Sequence, residues 1–300
     1  MSLDIFNRPM RLSKRLLKKG FAYIKNEVTP VQKTPIIVLG NPKSGTSVIG
    51  HLLADYGGLS KSIDIPPLWM DLTGKGVEIL QGQTTFADMV KRNRPYFSCK
   101  LIKEPTMTFF ADQVMEAFPK AKYVFVIRDP RDNVRSELNR RRVPGNLTEL
   151  KEALIPADER NRQVVKAMTD ALLWGGNGEN YIGVLAHKWN RAADTYVRHQ
   201  KRMILVKYED FLPEKGRYIS QLAQQLDIPQ RRNIEDQIDV QYQPKGKDRD
   251  LPWVEFYGPD NLTRIERICG SHMTAFGYEI NHTQAATESG IPANRQEETL

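Results

Sequence analysis

Residues 35–58 constrain this chain more than any other stretch. Pro35-Ile-Ile-Val-Leu39 is a short, unbroken apolar run, closed by Gly40, Asn41 and Pro42. The loop Gly40-Asn-Pro-Lys-Ser-Gly-Thr-Ser47 follows. Apolar residues then recur at helical spacing, at Val48, Ile49, Leu52 and Leu53, as far as Gly57–Gly58. A run without polar alternation reads as a strand buried on both faces. A periodic segment closed by glycine reads as a helix with its stop signal. Strand, tight loop and helix together aim backbone N–H groups and the positive end of a helix dipole at one spot, which makes it an anion site.

The pattern continues along the chain. We expect strands at 97–102, at Tyr123-Val-Phe-Val-Ile127 and at 203–207. Helices are expected near 84–92 and at 107–118, 131–142, 181–199 and 214–227, with irregular chain over 144–180. Strands alternating with helices predict an α/β fold, a central parallel sheet flanked by helices, with ligands bound outside the carboxyl ends of the strands. At 300 residues, 40% of them hydrophobic, the chain can bury one large core. The expected organisation is a basic N-terminal segment (1–30), one domain (31–282) and a polar, disordered tail (283–300).

The formal net charge of +8 favours anionic partners. Part of the excess is local: Arg8, Arg11, Lys14, Arg15, Lys18 and Lys19 interleave with Met10, Leu12, Leu16, Leu17 and Phe21, as in a basic amphipathic helix. Such a helix either lies against an anionic membrane or packs its leucines on the domain. No apolar run approaches the roughly 20 residues of a membrane span. Two cysteines, Cys99 and Cys269, cannot supply a disulfide framework, so a reducing, cytoplasmic setting is expected.

The loop has glycines at 40 and 45, as a nucleoside-triphosphatase loop would, but position 46 is threonine and the lysine sits inside the loop, at Lys43. That displacement argues against magnesium-triphosphate chemistry. A P-loop kinase or triphosphatase is the alternative enzyme class. A non-catalytic binder of nucleic acid or membrane would leave the loop unexplained, and no nucleic-acid partner is expected.

Pro42-Lys-Ser-Gly-Thr-Ser47 resembles the 5′-phosphosulfate loop of the sulfotransferases. Arg128, at a strand end, with Ser136 eight residues later, is similar to that family's 3′-phosphate pair. Lys103-Glu-Pro105 and Phe118-Pro-Lys-Ala-Lys-Tyr123 resemble the glycan, tyrosylprotein and bacterial members more than the cytosolic phenol and steroid type. Val206-Lys-Tyr-Glu-Asp-Phe211 resembles the segment whose tyrosine contacts adenine, and Lys245-Gly-Lys247 the basic loop over the nucleotide. The resemblance implies 3′-phosphoadenylyl sulfate (PAPS) as co-substrate, adenosine 3′,5′-bisphosphate (PAP) as product, no metal requirement and a P-loop-like sheet. It assigns nucleotide binding to Lys43, Ser44, Gly45, Thr46, Ser47, Arg128, Ser136, Tyr208, Lys245, Gly246 and Lys247.

Sulfonate transfer to a hydroxyl needs an in-line geometry, cations at the leaving oxygen and at the sulfonate, and a base. Lys43 and Lys103 are the expected cations. Asp64 is expected as base, at the offset from the loop lysine where relatives of the resembled type carry an acid. Glu104 is second and His51 third. The acceptor is expected to be a hydroxyl of a glycan, glycolipid or small metabolite. Trp69, Trp174, Trp253 and Tyr257 are candidates for its cleft, core packing being their commoner role.

Overall fold

A computed structural model describes residues 20, 21, 23–70, 74–150, 166, 170–242, 246 and 248–280. The expectations for residues 1–19, for Lys245 and Lys247 and for the tail fall outside these. Among the described residues five parallel strands form one sheet: β1 (Ile36–Gly40), β2 (Lys61–Ile63), β3 (Leu101–Lys103), β4 (Lys122–Ile127) and β5 (Met203–Lys207), in the order β2-β3-β1-β4-β5. The strand after the opening segment is therefore central. Every residue of β1 is buried.

Alternation along β1 divides the protein's interior. Ile36 and Val38 point to one core, Ile37 and Leu39 to the other. The first core holds α1 (Thr46–Gly57) and α6 (Lys215–Gln225), joined through Leu52, Leu53, Leu222 and Ala223. The second and larger core is built with α2 (Phe86–Arg92), α3 (Ala111–Ala117), α4 (Pro130–Arg141), α5 (Tyr181–His199) and α7 (Trp253–Ala275). Among the described residues no helix is long and apolar enough to cross a membrane.

The α/β expectation holds, with local corrections. The strand expected at 97–102 is only Leu101–Lys103. Arg94–Phe97 is a 3₁₀ turn that delivers Phe97 to the core. The helix expected at 107–118 is divided into a 3₁₀ segment, Pro105–Phe110, and α3, because Pro105 starts a turn capped by Glu104. The edge strand β2 was not foreseen, being three residues with lysine and serine among them. Nor was α7, whose pattern is interrupted by Gly258–Pro259. Gly258 has non-helical angles (φ 69°, ψ 164°), so Pro259 opens a new helical segment, where a missing N–H is harmless.

Candidate active site

The strand order sets the site. Reading across the carboxyl edge of the sheet, the chain leaves β2 at Asp64, β3 at Lys103–Glu104, β1 into the glycine loop, β4 at Arg128–Asp129 and β5 at Tyr208–Glu209. Neighbouring strands lie about 4.8 Å apart, so five separate sequence segments meet. A cleft of about 1590 Å³ opens over them, lined among others by Lys43, Thr46, Ser47, Lys103, Arg128 and Tyr208.

The loop is clamped from below. Thr108 Oγ1 accepts from Gly40 N (2.9 Å) and donates to Gly40 O (3.0 Å). Asn133 Nδ2 donates to Pro42 O and to Ser44 Oγ, both at 2.9 Å, and Asn133 Oδ1 accepts from Asn41. Ser44 is thus buried and holds the loop's shape, while Gly45, Thr46 and Ser47 line the cleft. Gly45 has φ 94°, and a Cβ there would overlap the Tyr208 ring. Lys43 is also left-handed (φ 72°). Burial, then Arg140, and further Arg128 and Arg141 hold the Lys43 ammonium down to about pKa 8, against the opposing pull of Glu137.

Arg128 closes the loop from the β4 side. It donates to Lys43 O (3.3 Å), and its guanidinium lies over the Tyr208 ring, 4.9 Å from the centroid. Its carboxylate neighbour Asp132 is 3.7 Å away and is engaged more closely by Arg135 (2.6 Å) and Trp253 Nε1 (2.8 Å). Among the described residues Arg128 Nε is buried without an acceptor. Buried donors of this kind call for a partner, and an oxyanion fits a guanidinium. Ser136, half-buried on α4, and Gly246, packed on Asn139, line the same cleft. The turn that presents Arg128 is fixed by Glu209, whose Oε1 accepts from Asp129 N (2.9 Å) and whose Oε2 accepts from Tyr278 (3.0 Å). Trp189 Nε1 adds a bond to Arg128 O (2.9 Å).

On the β3 side the two candidate acids part. Asp64 has a left-handed backbone (φ 58°), which aspartate tolerates, and its side chain is 46% exposed. It pairs with the ammonium of Lys103, itself 2% exposed. Glu104 is fully buried. Its Oε2 accepts from Ile65 N (2.7 Å) and its Oε1 from Thr106 N (3.0 Å). Burial raises its pKa against the pull of Lys103 and of these backbone bonds. His51 is stacked on Tyr242 (4.3 Å between centroids) outside the cleft lining, its pKa lowered by burial and by Lys61. Of the expected aromatic candidates only Trp69 lines the cleft. Trp174 and Tyr257 are buried in the core, and Trp253 covers the Arg131 guanidinium at 3.8 Å.

The sulfotransferase domain, as a family, matches residues 33–251. The chain belongs to the sulfotransferase family. Among curated proteins none matches this sequence. Among solved structures, a Mycobacterium avium sulfotransferase has the same fold at 15% identity and a TM-score of 0.52, over 87% of this chain and 82% of that one. A mouse sulfotransferase crystallised with PAP is 12% identical, with a TM-score of 0.48 over 83% and 88% of the two chains. Several further residues of this sulfotransferase-family chain line the cleft without belonging to any of its motifs. These are the buried pair Glu137–Lys188 (2.6 Å), the run Arg140–Arg142, Tyr242 and Arg249. The triple arginine was the one visible signal.

Proposed function

We propose that the protein transfers the sulfonate of PAPS to a hydroxyl of a glycan, glycolipid or small metabolite. The observation that carries this reading is one cleft in which the Lys43 loop faces both Arg128, with its unaccepted Nε, and the Lys103–Asp64 pair. The loop N–H groups, Lys43, Thr46 and Ser47 would hold the 5′-phosphosulfate, Arg128 and Ser136 the 3′-phosphate, and Tyr208 with Gly246 the nucleoside. Bound PAPS supplies a sulfonate on a phosphate leaving group. Asp64 takes the acceptor's proton as the acceptor oxygen bonds to sulfur. Lys43 neutralises the bridging oxygen that keeps the electron pair when the old sulfur–oxygen bond breaks, and Lys103 answers the sulfonate oxygens. Glu104 acts as a structural cap that fixes the Asp64–Ile65 turn.

The test is a calorimetric titration of PAP against ADP without metal. PAP is expected to bind far more tightly, and Arg128→Ala to remove most of the difference, since truncating a buried charge-paired contact costs about 2–5 kcal/mol. Equal affinity for the two nucleotides would overturn the assignment. Turnover confined to amines or to protein tyrosine would overturn the acceptor class.

A further inference from the structure

The cleft has two sides, one against each core. One is bordered by Tyr208, Phe211 and Ile238, which pack on the core of α1 and α6. The other is walled by Met70, Phe109, Val143 and Phe256, which belong to or pack on the opposite core and come from none of the proposed nucleotide segments. The end of α4 brings Arg140, Arg141 and Arg142 to the lining beside Val143.

Three observations single out Arg140 and Arg142. Both are exposed, and among the described residues neither has an ion-pair partner. Three cleft acids are engaged elsewhere, Glu137 by Lys188, Asp132 by Arg135 and Asp64 by Lys103, while Asp248 also lines the cleft. Arg142 is the cap of α4 in a left-handed conformation (φ 58°, ψ 38°), where glycine or asparagine is the usual choice. That backbone costs a residue with a Cβ about 1–2 kcal/mol. A cation at a helix carboxyl end recovers about 0.3–1 kcal/mol, which is less, so the dipole alone does not account for this arginine. Lastly, Arg140 lines the same cleft as Lys43 and, after burial, helps to lower its pKa.

We propose that Arg140 and Arg142 form an oxyanion site for the acceptor. The acceptor then carries a carboxylate or sulfate on a body that rests on the Phe109–Phe256 wall, and its hydroxyl reaches Asp64. Arginine forks suit either anion. This deepens the proposed function and rests on it.

The probes are para-nitrophenyl β-glucoside, the matching β-glucuronide and the glucoside 6-sulfate, each titrated into protein saturated with PAP and then assayed with PAPS. Both anionic probes should bind roughly tenfold or more tightly than the glucoside, and the tighter of the two identifies the anion. Arg140→Gln and Arg142→Asn should each bring the ratio toward one. Asparagine suits the left-handed backbone, so the second variant keeps the fold. Arg92→Ala, which removes an exposed cation outside the cleft, should leave the ratio unchanged. A purely structural role for the two arginines would move the melting temperature and not the ratio. No preference in the wild-type protein, including no binding of any probe, overturns the proposal, as does a preference that survives both substitutions. Failure of PAP itself to bind, seen in the first titration, strikes the sulfotransfer reading instead.

Discussion

Lys43 is the residue whose chemistry is most exposed to test. Burial and the neighbouring arginines hold its pKa near 8, so the free protein begins to lose that charge just above neutrality. A phosphate beside it would raise the pKa again, and binding would then take up a proton above about pH 8. PAP affinity should therefore be full below that value. It should fall as pH rises through it, by up to about tenfold per unit until the bound-state pKa is reached. Titrations from about pH 7 to about pH 10 read this directly, and Lys43→Arg should flatten the curve because guanidinium stays charged. A flat wild-type curve would remove Lys43 from the phosphate. The two acids make a second residue-scale test. Asp64→Asn leaves an oxygen for Lys103 and should lower kcat by roughly 10²–10⁴ with little change in PAP affinity. Glu104→Gln turns an amide N–H toward a backbone N–H in a buried site and should cost about 1–3 kcal/mol of stability. Should the glutamine variant lose turnover at an unchanged melting temperature while Asp64→Asn works normally, the base follows β3 instead.

At the scale of elements, the Gly40–Ser47 loop is a local device held by distant parts. Residues 35–58 were legible because strand, loop and helix are contiguous, and Arg128 was legible because it directly follows the apolar run of β4. The clamps were not. Asn133 and Thr108 reach the loop across 92 and 68 positions, and no sequence period links them. Likewise α7 was hidden by Gly258–Pro259, and the short β2 by its polar residues. The loop's fit to Tyr208 yields a prediction. Gly45→Ala places a methyl group into the Tyr208 ring at a backbone angle alanine avoids. Loop or ring must shift by the order of 1 Å, a displacement that can cost about 10²-fold in rate. Single-turnover rates should drop by that order while circular dichroism stays that of a folded protein. An unimpaired Gly45→Ala enzyme would show that Tyr208 is free to leave the loop and is no part of the nucleotide site.

Across the described residues, the last helix, α7, secures the carboxyl edge of the sheet at β4. Residues matched by the family end at 251, yet α7 begins at Trp253 and reaches back to the β4–α4 turn. Arg131, 2% exposed, is bound by Asp129 (2.7 Å) and by Glu266 of α7 (2.8 Å), beneath the Trp253 ring. Tyr257 donates to its carbonyl (2.5 Å). Asp129 also caps α4 and adjoins Arg128, so the buried triad ties the proposed 3′-phosphate residue to the carboxyl-terminal part of the chain. Removing one partner of such a group strands a buried charge and typically costs about 3–5 kcal/mol, whereas replacing the partners together by apolar groups costs far less. Arg131→Met should therefore lower the melting midpoint by roughly 10 °C in a chain of this size. Arg131→Met combined with Asp129→Asn and Glu266→Leu should recover part of that loss, a coupling measurable because the three sites touch. The recovered protein should still bind PAP more weakly than wild type, because the turn that presents Arg128 has lost its anchor. Full recovery of both stability and PAP affinity would mean that the triad fixes the helix but not the site.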